Sequence, residues 1–152
     1  MKSLLLALGN DLLGDDGVGL AAARELKKEL LKDIDVIETS ESGLVLMELM
    51  AGYDHVLLLD AILTGSHCPG TILEFKPEDF QRTVAPSPHY AGLPEVLELA
   101  AQLQIPFPKD IQILAIEVEN PFEFKLNMSS FVMDSFPDFI NKARSILQGF
   151  NC

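Results

Sequence analysis

Cysteine is scarce in this chain and tryptophan is absent: 152 residues include 2 Cys and no Trp. Cys68 and Cys152 are too few for a disulfide scaffold, and their spacing matches no zinc pattern. A reducing cytoplasm is the expected compartment. Positive charge is scarce too, with 11 Lys plus Arg against 23 Asp plus Glu and a formal charge of -12. Phosphate backbones are bound by basic faces, so this balance argues against nucleic acid. It argues equally against an anionic membrane surface. Long apolar runs are lacking. Leu4–Leu8 stops at Gly9-Asn10-Asp11, short of the ~7–15 apolar residues of a signal peptide core. No run approaches the ~18 needed to span a bilayer. The G-x-S-x-G elbow of serine hydrolases is missing, and no Walker lysine follows a glycine-rich turn.

What is present points to a folded domain. A hydrophobic fraction of 48% excludes a disordered acidic tail. The length suits one domain over residues 1–152. A chain of this size buries ~70% of the surface its unfolded form exposes, so it folds without a disulfide or metal staple.

Short apolar runs alternate with amphipathic segments. Leu4–Leu8 reads as a buried parallel strand ended by Gly9. Asp15-Asp16-Gly17 opens a helix with acid at its start and Lys27, Lys28 and Lys32 near its end, in line with the helix dipole. Asp35–Glu38 reads as a strand and Gly43–Met50 as a short helix. His55–Asp60 and Thr71–Phe75 read as strands, with the Pro69-Gly70 turn between them. Lys76–Pro88 reads as loop with one helical turn, Gly92–Gln104 as a helix, Ile111–Ile116 as a strand. Ser129–Leu147 reads as a closing helix kinked at Pro137. The order predicts an α/β three-layer sandwich, α/β/α, with a five-stranded, mostly parallel twisted sheet.

Three groups of residues carry chemistry. The first is the turn Gly9-Asn10-Asp11-Leu12-Leu13-Gly14-Asp15-Asp16-Gly17-Val18-Gly19. Glycine-rich strand-to-helix turns often cradle phosphate, and Glu38 sits where a ribose-binding acid would. The dinucleotide spacing fails, however, because it needs glycine where Asp11 stands. Three aspartates would also repel a pyrophosphate, at ~4 kcal/mol per close pair for an effective dielectric of ~20. The cluster suits a cation instead, unless Asp15 and Asp16 only cap a helix.

The second is Asp60, after Leu57-Leu58-Leu59. A carboxylate at the carboxyl end of a buried strand stands where open α/β sheets bind ligands, or else caps the strand end. In a 2-1-3 strand order, Asp16 and Asp60 emerge side by side. The third is His89 in Ser87-Pro88-His89-Tyr90-Ala91-Gly92-Leu93, where prolines stiffen the approach to a helix. A plain surface histidine is the alternative. His55 and His67 read as structural or solvent-facing. Two carboxylates and one imidazole make a divalent-metal site with coordination positions left for substrate. An aspartic dyad of Asp16 and Asp60 is the other arrangement, although the usual Asp-Thr/Ser-Gly is absent.

The sequence resembles the hydrogenase maturation endopeptidases that process the large subunit of [NiFe] hydrogenases. The resemblance rests on Gly9-Asn10-x-Leu12-x-x-Asp15-Asp16-Gly17-x-Gly19, on Asp60-Ala61 followed by Pro69-Gly70-Thr71, on Ser87-Pro88-His89-x-x-Gly92-Leu93, and on the weaker Ile116-Glu117-x-Glu119-Asn120-Pro121. The chain departs from the family pattern at Ala7, at Glu117-Val118 and at Asn127-Met128-Ser129. The resemblance implies that Asp16, Asp60 and His89 approach nickel already loaded in the precursor. It implies an endopeptidase that removes a short C-terminal extension from that precursor. Asp16, Asp60 and His89 are then the expected catalytic and metal-contacting residues, and the large-subunit precursor the expected partner of a monomer. A non-hydrolytic nickel checkpoint for the same precursor is the alternative. A nucleotide-binding oxidoreductase ranks below both.

Overall fold

A computed structural model describes residues 1–29, 33–80, 93–119 and 127–150. Five strands form one sheet: β1 (Ser3–Leu8), β2 (Ile34–Thr39), β3 (His55–Ile62), β4 (Ile72–Phe75) and β5 (Asp110–Glu117), in the order β2-β1-β3-β5-β4. Helices α1 (Val18–Lys27), α2 (Leu44–Met50), α3 (Leu93–Gln102) and α4 (Ser130–Gly149) cover it. Pairing is parallel throughout except that β4 runs antiparallel to β5. The expected five-stranded, mostly parallel α/β sheet is thus what the chain forms.

The reason lies in which strands are buried on both faces. Every residue of β1 is buried, and so is every residue of β3 after His55. Successive side chains alternate between faces. Leu5, Ala7, Leu57, Leu59 and Ile116 pack with α1 and α4 residues such as Val18, Leu26 and Phe139. Leu4, Leu6, Leu8, Val56, Leu58 and Ile113 pack with Leu46 and Met50 of α2 and with Leu97 of α3. These two cores make the three layers. β2 and β4, at the sheet edges, are only partly buried, which accommodates Glu74 on β4. The Glu74 carboxylate lies 3.6 Å from the Lys142 amine of α4.

Element boundaries shift from the sequence reading in informative ways. Asp15, Asp16 and Gly17 belong to a separate 3-10 turn, Gly14–Gly17, and α1 starts only at Val18. The strand β3 continues past Asp60 to Ile62, and β5 continues to Glu117. The closing helix runs through Pro137, as read, and continues to Gly149. His55 is structural, as expected, with its ring stacked on Phe150 at a centroid distance of 4.9 Å. His67 is exposed, as is Cys68.

Candidate active site

The strand order reverses at β1. The chain leaves β1 for β2 on one side through α1, and returns through α2 to β3 on the other side. Such a switch point opens a crevice at the carboxyl ends of the strands, here those of β1 and β3. Asp16 and Asp60 are both built onto that edge.

Asp16 is held by the glycine-rich turn. Gly9 leaves β1 with a φ of +145°, and a Cβ there would stand 2.0 Å from the Asp16 carbonyl oxygen. Only glycine lets the turn fold back this closely. The Asn10 N–H donates to the Asp16 carboxylate at 2.9 Å. The Asn10 side chain in turn accepts the Leu12 N–H at 3.0 Å, which fixes the turn from within. Gly19 seats the start of α1 in the seam between β1 and β3: a Cβ would lie 2.6 Å from the Leu59 carbonyl oxygen and 3.2 Å from that of Leu8. The glycines at this turn therefore serve close backbone packing, which carries Asp16 to the edge where Asp60 lies.

Asp60 is fully buried on β3, and its carboxylate accepts the Ala61 N–H at 2.8 Å. It stands opposite Ala115 of β5, and it shares the face of Leu58, covered by α2 and α3. His89 lies outside the described residues, ahead of α3 in the chain. Among the described residues, no group of three or more His, Cys, Asp or Glu side chains is arranged to hold a metal ion. Asp16 and Asp60 are the two carboxylates of the expected donor set, and its expected imidazole falls outside the described residues. Carboxylate and imidazole donors suit a divalent ion such as nickel.

The neighbouring acids have other work. The expected cation-attracting cluster includes Asp11 and Asp15, but Arg24 donates to Asp11 at 2.8 Å and lies 2.7 Å from Glu38. The hydrogen bonds it donates to Asp11 and then to Glu38 hold the guanidinium above its ordinary pKa. Glu38, the acid a dinucleotide ribose would need, is thus engaged by Arg24. Asp15 is buried and accepts the Ser129 N–H at 2.6 Å. Ser129 is also the N-cap of α4, its hydroxyl accepting the Val132 N–H. The turn is thereby tied to α4.

Sequence alone gives Glu117 no task. It is 1% exposed at the end of β5 and accepts both the N–H, at 2.7 Å, and the hydroxyl of Thr64. A signal exists, because Glu117 ends a buried apolar run just as Asp60 interrupts one.

Comparison with known proteins accords with this architecture. A model of the hydrogenase maturation protease family matches residues 20–146, a span that contains Asp60 and His89 and begins shortly after Asp16. The hydrogenase 2 maturation protease of Escherichia coli (strain K12) is 31% identical over 124 residues, covering 79% of this chain and 75% of that protein. The structure of the hydrogenase maturating endopeptidase HybD from Escherichia coli superposes with a TM-score of 0.80 at 26% identity, covering 98% of this chain and 93% of that one. The [NiFe] hydrogenase maturation protease HybD from Thermococcus kodakarensis does so with a TM-score of 0.73 at 25% identity, covering 96% and 99%. On the family match and the shared fold, the chain belongs to the hydrogenase maturation protease family.

Proposed function

We propose that this protein is an endopeptidase that removes a short C-terminal extension from the nickel-loaded precursor of a [NiFe] hydrogenase large subunit. Family membership supports peptide-bond hydrolysis in hydrogenase maturation. The observation that carries the reading is the presentation of two aspartates at one switch-point edge, Asp16 by the closely packed turn and Asp60 by β3.

The chemistry asked of these residues is modest and specific. Amide hydrolysis needs a water deprotonated, a carbonyl polarised and a proton delivered to the leaving nitrogen. A carboxylate of Asp16 or Asp60 takes a proton from water and returns it to the leaving amine, while His89 contacts the metal. In this reading the nickel belongs to the substrate; while it is bound, it supplies Lewis-acid polarisation of the kind that divalent ions give carbonyl oxygens. Asp16, Asp60 and His89 then orient the precursor through the metal it carries, and a precursor without nickel presents nothing to hold. The protein acts as a monomer in the cytoplasm, with neither nucleic acid nor membrane as partner. No helix among the described residues is long and apolar enough to cross a membrane.

The test is incubation of the protein with nickel-loaded and nickel-free precursor, read by mass spectrometry of the large subunit. Shortening of the loaded form alone is expected. Binding of the loaded precursor without shortening overturns the endopeptidase and leaves a nickel checkpoint.

A further inference from the structure

Glu117 is a buried carboxylate to which the Asp16–Asp60–His89 chemistry assigns no task. It stands opposite Ile62 on β3, while Asp60 stands opposite Ala115. Residues paired across parallel strands point to one face, so Glu117 shares the face of Asp60 on the neighbouring strand. Its carboxylate accepts the Thr64 N–H at 2.7 Å and the Thr64 hydroxyl. Its main chain holds the far end of the same loop. The Gly70 N–H donates to the Glu117 carbonyl at 2.8 Å, and the Glu117 N–H donates to the Thr71 carbonyl at 2.9 Å.

One residue thus pins residues 63–71 at both ends. Inside the loop, Thr64 Oγ1 accepts the Ser66 N–H at 3.1 Å, and the Thr71 hydroxyl donates to the Cys68 carbonyl at 2.7 Å. Gly70 also packs on α4, where a Cβ would come 2.8 Å from the Phe131 carbonyl oxygen. The outer side of the loop stays open: Leu63, Gly65, Ser66, His67 and Cys68 are exposed. A loop with both Thr64 donors turned inward onto one carboxylate, and with exposed residues that begin three positions after Asp60, is built as a fixed lip. A carboxylate suits the task, because it offers two acceptor oxygens to the two Thr64 donors where an amide offers one.

We propose that Glu117 is a positioning residue: it holds residues 63–71 as a rigid lip beside Asp60, and the exposed side of that lip is part of the surface on which the precursor docks. The proposal rests on the endopeptidase reading for the identity of the docked protein. It assigns Glu117 no proton transfer.

The experiment compares wild type with Glu117→Ala, Glu117→Gln and Thr64→Val. Precursor affinity is measured by direct binding, turnover by cleavage, and loop order by hydrogen exchange at the Thr64, Ser66 and Gly70 amides. Glu117→Ala is expected to weaken precursor binding about tenfold, with kcat kept within about threefold. Exchange should rise in the loop and stay slow in β1 and β3. Glu117→Gln restores part of the affinity, because its one acceptor oxygen keeps one Thr64 bond. Thr64→Val, which leaves the carboxylate in place and keeps the side-chain shape, carries the test if Glu117→Ala does not fold. Unchanged affinity in a variant whose loop exchanges faster overturns the docking surface. Unchanged exchange overturns the clamp. A fall in kcat at constant affinity overturns positioning in favour of a chemical role. Wild type that binds the precursor without cutting it overturns the endopeptidase alone, since the affinity comparison still stands; wild type that does neither overturns both.

Discussion

The Asp15 carboxylate accepts the backbone N–H of Ser129 at 2.6 Å, across 114 residues of sequence. Asp15 is buried in the turn that carries Asp16, and Ser129 caps α4. One hydrogen bond therefore ties the aspartate-bearing turn to the longest helix. Asp15→Ala leaves a part-buried N–H without its acceptor, a loss of about 1–3 kcal/mol. For a chain of this length, each kcal/mol lowers Tm by about 2–4 °C. Asp15→Asn keeps an acceptor oxygen and should lose less. Cleavage should fall in Asp15→Ala by more than stability alone explains, because the turn under Asp16 loosens. Thermal melts beside cleavage rates at a temperature where both variants are folded check this; equal rates there would show that Asp15 serves the fold only.

Glycine at position 19 is required by packing. A Cβ would lie 2.6 Å from the Leu59 carbonyl oxygen, and both neighbours are backbone that has no side chain to swing away. Gly19→Ala must push α1 off the β1–β3 seam, at a cost of about 1–3 kcal/mol. Gly149, in the last turn of α4, is the opposite case, because a Cβ there would meet nothing within 4 Å. Gly149→Ala is expected to leave stability unchanged or to raise it by up to about 1 kcal/mol, through the lower entropy of the unfolded chain. Urea titrations of the two variants should move in opposite directions, or at least differ by more than the error of the midpoints.

Much of this is legible in sequence because the central strands are buried on both faces. Leu4–Leu8 and Val56–Leu59 are continuous apolar runs, and only a strand covered on both sides tolerates that. Their order, with Asp60 just after one of them, is enough to find the sheet edge. What sequence does not reveal are partnerships between distant residues. Asp11, Asp15 and Asp16 look alike in a row, yet Asp11 turns to Arg24 and Asp15 to Ser129. Only Asp16 folds back onto the end of β1, through the Asn10 N–H. Glu117 is visible in sequence as the residue that ends an apolar run, but its partner Thr64, 53 residues away, is not.

Tyr53 gives the fold a pH dependence at the alkaline end. Its hydroxyl donates to Asp35 at 2.7 Å. That hydrogen bond first, and burial second, push the phenol from 10.0 up to about 12. The folded state therefore favours the protonated phenol. The stabilisation is full below about pH 10 and is lost as pH rises from there toward about 12. Tyr53→Phe should remove this contribution, so that its stability and that of wild type converge as pH reaches about 12. Asp35→Asn weakens the acceptor and should lower the Tyr53 titration. Ultraviolet titration of the phenolate follows the ionisation directly, and a Tyr53 that ionises near its ordinary value would show the bond absent in solution.

Asp16, Asp60 and His89 make a sharper test together than singly, because charge and shape can be separated. Asp60→Asn and Asp16→Asn keep the volume and remove the charge. Asp60 is fully buried, so the neutral variant is expected to fold, with an unchanged far-UV CD spectrum. Loss of a proton acceptor or of a contact to the substrate's metal should slow cleavage by about 10²-fold or more. His89→Ala should abolish processing with the CD spectrum again unchanged. Affinity for nickel-loaded precursor should also fall as pH drops through the histidine range, since metal-contacting groups must be deprotonated. In His89→Ala that pH dependence should vanish. If the variant keeps the pH dependence of wild type, another group reads the metal; full cleavage by Asp60→Asn would remove that carboxylate from the chemistry and leave Asp16 as the base.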